Sequence, residues 1–144
     1  MKVLAIALSL VANGSGSAIP FDELALGGVK PGDTQEQVRA HLGPPVTRSR
    51  AEGVYDTKFE YPGLEIIFGG GAEIIASSSA EHCTPTGACP GISEAQLTNL
   101  YGPGVRQQRQ SEIAVVYSVP GDACLLEAII SQDAVRTLTV LCQP

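Results

Sequence analysis

Two histidines, four cysteines and a scatter of serines, carboxylates and arginines are the residues of this 144-residue chain that could do chemistry. His41 could act as a general base, which needs a partner within hydrogen-bond reach. No partner is identifiable, so His41 reads as a half-buried packing residue near a helix C-terminus. His82 adjoins Cys83 in a loop and reads as solvated. Ser77, Ser78 and Ser79 stand in a row without the Gly-x-Ser-x-Gly elbow that presents a nucleophile. Asp56 and Glu60 flank Lys58 on one side of a strand pattern, an ordinary solvated face. Gly69-Gly70-Gly71 lacks the Lys and Ser/Thr of a phosphate loop and reads as a hairpin turn. Arg106 and Arg109 could clamp an anion, but both neighbour glutamines in a surface segment. The expectation is a protein that is not an enzyme and carries no cofactor and no metal.

The cysteines are Cys83, Cys89, Cys124 and Cys142. An even number in an exported chain points to two disulfides, with three connectivities open. The local one, favoured here, closes Cys83 to Cys89 around Thr-Pro-Thr-Gly-Ala and ties Cys124 to Cys142 across the last hairpin. A zinc site at His82, Cys83 and Cys89 falls one ligand short of the usual four. Export itself is read from residues 1–18, expected to be a signal peptide: Lys2, the apolar run Val3 to Ala12, then small residues through Ala18. That run is too short to span a bilayer. No cysteine follows it, so a lipid anchor is not expected. Without Lys2 the chain holds 8 basic and 15 acidic side chains, net −7, which argues against nucleic acid and disfavours an anionic membrane surface as partners.

The positioning elements are announced by a stretch that occurs twice, Gly32 to Pro44 and Gly91 to Pro103. Thr34 and Ser93 are N-cap residues, and Gln37 and Gln96 three positions on complete capping boxes. Val38 with Leu42, and Leu97 with Tyr101, give each helix one apolar stripe. Gly43-Pro44 and Gly102-Pro103 end them. Helices this short need a sheet to dock on. Strands are expected at Val46–Ser49, Val54–Tyr61, Leu64–Phe68, Ala72–Ser77, around Ile113–Val119, and at Ala123–Ile130 and Val135–Cys142. Tyr55, Thr57, Phe59 and Tyr61 share one face, as do Ile113, Val115, Tyr117 and Val119.

The pattern Gly-x-[Thr/Ser]-x-x-Gln-[Val/Leu]-x-x-x-[Leu/Tyr]-Gly-Pro, followed by antiparallel strands, resembles two related groups. One is the SmpA/OmlA outer-membrane assembly lipoproteins. The other is the β-lactamase inhibitor protein, a tandem of two such units sharing one curved sheet. The resemblance implies an α+β fold: a tandem of two helix-plus-antiparallel-sheet units, helices packed on one face. The expected divisions are a first repeat at 19–80, a linker with the cysteine loop at 81–90, and a second repeat at 91–144.

The last hairpin is apolar on both faces. Cys124, Leu126, Ala128 and Ile130 share one with Leu138, Val140 and Cys142. Ala123, Leu125, Ile129, Val135 and Leu141 carry the other. The second set is either buried between repeats or presented to a partner. The expected function is an exported, non-enzymatic module, periplasmic or secreted, that binds another exported protein through this face. An inhibitor of a secreted or periplasmic enzyme is one form of it. Alternatives are an envelope-assembly accessory protein, or a ligand carrier or hydrolase with a pocket between repeats.

Overall fold

Backbone groups that leave water must be paired, and in this chain the strands pair theirs in a single sheet. The structure, a computed structural model, describes residues 18–143. The signal peptide expected at 1–18 lies, apart from Ala18, outside the described residues. The elements in chain order are α1 (Gln35–Leu42), β1 (Thr47–Arg50), β2 (Thr57–Tyr61), β3 (Leu64–Phe68), β4 (Ala72–Ser77), α2 (Glu94–Tyr101), β5 (Val105–Arg109), β6 (Glu112–Ser118), β7 (Cys124–Ser131) and β8 (Ala134–Cys142), preceded by a 3₁₀ turn at Phe21–Glu23. All eight strands form one antiparallel sheet in the order β1-β2-β3-β4-β8-β7-β6-β5.

The fold class therefore needs correcting. The α+β tandem of two helix-plus-sheet units is overturned by one continuous eight-stranded sheet with, among the described residues, only two eight-residue helices. The join is β4 against β8, in register from Ile74↔Leu141 to Ser77↔Leu138. Two separate sheets would each leave a strand edge of unpaired N–H and C=O groups there; pairing them removes both edges.

Both helices form as their caps dictate. Thr34 Oγ1 accepts from the Gln37 N–H at 3.1 Å while Gln37 Oε1 accepts from the Thr34 N–H at 2.8 Å. Ser93 and Gln96 make the same exchange at 3.0 and 2.9 Å. Gly43 and Gly102 end the helices at φ 84° and 88°, where a Cβ is disfavoured. Each cap carbonyl then accepts a phenol: Tyr61 O–H donates to Gly43 O at 2.9 Å and Tyr117 O–H to Gly102 O at 2.8 Å. These bonds fasten α1 to β2 and α2 to β6.

One row of directly opposed residues runs across the inner face: Phe59, Ile66, Ile75, Val140, Leu126 and Tyr117. All six are fully buried. Val38 of α1, Leu97 of α2, Leu24, Leu26 and Val29 of the N-terminal segment and Ala88 of the cysteine loop join the same cluster. The helical layer thus lies on one side of the sheet. Both disulfides follow the local pairing, Cys83–Cys89 and Cys124–Cys142, with Cα atoms 4.4 and 4.0 Å apart. The second joins directly opposed residues of β7 and β8. Disulfide bonding also removes Cys83 and Cys89 as thiolate ligands for zinc. No helix of the described residues is long and apolar enough to cross a membrane.

Candidate functional site

Side chains alternate across a strand, so the row next to the buried one points the other way. On the outer face the directly opposed residues are Lys58, Ile67, Ile74, Leu141, Leu125 and Ser118, from β2 to β6. The four in the middle are aliphatic and only half-buried. Ile129 lies on the same face, opposite Thr137, and Ala76 opposite Thr139. The result is an apolar band across the middle of the sheet, on the side away from the helices. An open depression of about 430 Å³ beside it is lined by residues that include Glu60, Glu65, Ala76 and Thr137.

The charged groups bordering the band are already paired with one another. Lys58 Nζ lies 3.2 Å from Glu60 Oε2 and 3.4 Å from Glu65 Oε2. Its hydrogen bond to Glu60 and the charge of Glu65 push the ammonium pKa up. Arg109 pairs with Glu127, and Arg136 with Glu112. Exposed pairs of this kind add little stability. They do leave the margin close to neutral, so a partner would meet an aliphatic centre and few unspent charges.

Of the expected binding residues, Leu125 and Leu141 sit opposite each other in the band and Ile129 beside them. Ala123 precedes β7 and is exposed. Val135 is a correction: it is 2% exposed and opposes Ile130 on the inner face. The pairing shifts between Ile129↔Thr137 and Ile130↔Val135, leaving Arg136 as an extra residue on β8. One extra residue reverses the alternation beyond it, which turns Val135 inward. Ile67 and Ile74 were missed. The alternation of Leu64 to Phe68 sends Ile67 outward, but only the β4–β8 join brings it level with Leu141.

The residues considered for chemistry are held in structural bonds. His41 is exposed rather than half-buried, and its Nε2 donates to Gly27 O at 3.0 Å. A Cβ on Gly28 would lie 2.1 Å from that nitrogen, so the glycine is what admits the ring. His82 is half-buried, and its Nε2 donates to Pro62 O at 3.1 Å. Asp56 falls just outside β2, while Gly69 N–H donates to Gly71 O in the β3–β4 turn. Arg106 pairs with Glu94 of α2.

A second polar cluster, unforeseen, joins the 3₁₀ turn, the cysteine loop and α2. Tyr101 O–H donates to Glu23 Oε1 at 2.5 Å, Thr84 Oγ1 lies 2.6 Å from the same phenol, and Thr86 N–H donates to Glu23 Oε1 at 3.2 Å. Burial, helped by the Glu23 bond, pushes the Tyr101 phenol well above its ordinary range. Glu23, Thr84 and Tyr101 are 78 residues apart at the extremes, so no local pattern announces them.

No protein-family model matches this chain, and no curated protein matches it. Among solved structures it is similar to a DUF4309 family protein (YjgB) from Bacillus subtilis, at 16% identity and TM-score 0.48, over 76% of this chain and 78% of that one. A likeness that slight carries no argument about fold or function.

Proposed function

We propose that this chain is an exported, non-enzymatic protein-binding module whose partner docks on the outer face of the sheet. The observation that carries the reading is the in-register aliphatic row Ile67, Ile74, Leu141 and Leu125, half-buried on the face opposite the helices. An antiparallel sheet with one solvated face ordinarily alternates apolar with polar residues; here the centre of the second face is apolar too. Contiguous apolar patches rimmed by polar groups are the usual mark of an interaction surface. Two disulfides support an oxidising compartment, periplasmic or extracellular. The structural bonds made by His41 and His82 support a role outside catalysis. Inhibition of a secreted enzyme is the form of binding that the β-lactamase inhibitor resemblance adds, and a second assay to run.

The test is affinity capture from the exported-protein fraction with the wild type and with Leu141→Glu. Leu141 is half-buried on the outer face, so the variant should stay folded and lose the partner. A folded variant that captures every partner of the wild type would remove this face from consideration.

A further inference from the structure

The arginines and lysines of the described residues divide into two groups. Lys30, Lys58, Arg106, Arg109 and Arg136 are each ion-paired within the chain. Arg39, Arg48 and Arg50 form no ion pair among the described residues, although Asp56 lines the same depression as Arg48 and Arg50. Arg48 and Arg50 belong to β1, whose four residues are all exposed. Arg48 is directly opposed to Phe59, and the guanidinium of Arg39 lies 4.9 Å from the centre of the Phe59 ring. In a chain of net charge −6, the unspent positive charge is gathered at one margin of the sheet.

That margin is also a free strand edge. Among the described residues β1 pairs with β2 alone, so its other side carries backbone N–H and C=O groups that no described strand pairs. The opposite edge, β5, also carries two arginines, but there Arg106 is neutralised by Glu94 and Arg109 by Glu127. An edge guarded only against self-association would need nothing more than like charges, which both edges have in their sequences. The β1 edge differs in leaving its charges without internal partners. Arg48 and Arg50 are two residues apart and so project from the same face of the strand.

We propose that the β1 edge accepts an extended acidic polypeptide segment as a ninth strand. Backbone bonds to β1 hold the segment, and carboxylates at alternate positions meet Arg48 and Arg50, with Arg39 behind them. This is recognition by strand addition, where main-chain bonds give affinity and alternate side chains give selectivity. The same arginines repel a second copy of this edge, so the site selects an acidic strand over its own kind. The proposal concerns the sheet edge and is independent of the outer-face reading.

The probe is a fluorescein-labelled synthetic peptide of alternating Glu and Thr, titrated by anisotropy. It should bind the wild type, weaken as salt rises, and weaken by about tenfold or more with R48E/R50E, as expected where a like charge replaces an attractive one. The Lys–Thr counterpart should not bind. The Glu–Thr peptide methylated on alternate backbone nitrogens should lose binding, because it cannot complete a ladder. Leu141→Glu, on the outer face, should leave the affinity unchanged, which separates failure of this proposal from failure of the docking-face reading. If R48E/R50E unfolds, R48Q/R50Q takes its place, with folding checked by circular dichroism. The proposal is overturned if the Glu–Thr peptide does not bind, if the arginine variants bind it as well as the wild type, or if the N-methylated peptide binds equally, which would mean attraction by charge alone.

Discussion

At the scale of single residues, the titratable groups that matter are phenols. Burial pushes the Tyr117 phenol up to about 12, and Tyr101 higher still, against an ordinary value near 10. A tyrosine whose folded pKa exceeds its unfolded one contributes stability that is fully present below pH ~10 and is lost as pH rises through the folded value. Urea melts should therefore show a stabilising contribution from these two phenols that does not vary with pH near neutrality and falls away as pH rises above about 10. Tyr117→Phe deletes one such phenol together with its bond to Gly102, so its melts should show lower stability at neutral pH and a shallower alkaline fall. An equally steep fall in that variant would show that Tyr117 plays no part. The two histidines were visible in the sequence, but their partners were not: each bonds a backbone carbonyl, and a carbonyl leaves no trace in residue identity.

Elements repeat the contrast between local and distant causes. A capping box is decided within four residues, so both were legible: Thr34 with Gln37 and Ser93 with Gln96. Ser93→Ala deletes the acceptor for the Gln96 N–H and should cost about 1 kcal/mol, whereas Ser93→Gly should cost only a few tenths of that. Equal losses in parallel urea melts would count against capping. Strands with strong alternation were legible too, Leu64–Phe68 and Ala72–Ser77 to the residue. Strand β5 was not, because Val-Arg-Gln-Gln-Arg is polar on both faces, as an exposed edge strand is free to be. The extra residue at Arg136 escaped for another reason. A bulge is defined by the strand opposite, and its phase shift moved Val135 from the expected binding face into the core.

At the scale of the whole molecule, the β4–β8 join makes both surfaces of interest. It sets Ile75 opposite Val140 in the core and Ile74 opposite Leu141 on the outside. Leu138 is fully buried beside this join, so Leu138→Ala should open a cavity and cost about 2–5 kcal/mol. Thermal melts should then show one transition at lower temperature, since the core is one cluster; two transitions would mean that the halves melt separately. By itself the sequence determined what depends on neighbours along the chain: two capped helices, most strands, the faces of those strands up to the bulge at Arg136, and an acidic balance that disfavours nucleic acid. The local disulfides were favoured on the same ground, since short loops close at little entropic cost, but the structure was needed to choose among the three connectivities. Tertiary structure alone decided that β4 meets β8, that Ile67 and Ile74 line up with Leu125 and Leu141, and that Arg39, Arg48 and Arg50 form no ion pair among the described residues. Each of these is a question of which edge pairs with which, and backbone N–H and C=O groups are the same in every residue but proline. Edge choice is settled by how the whole core closes, not by any short stretch of side chains.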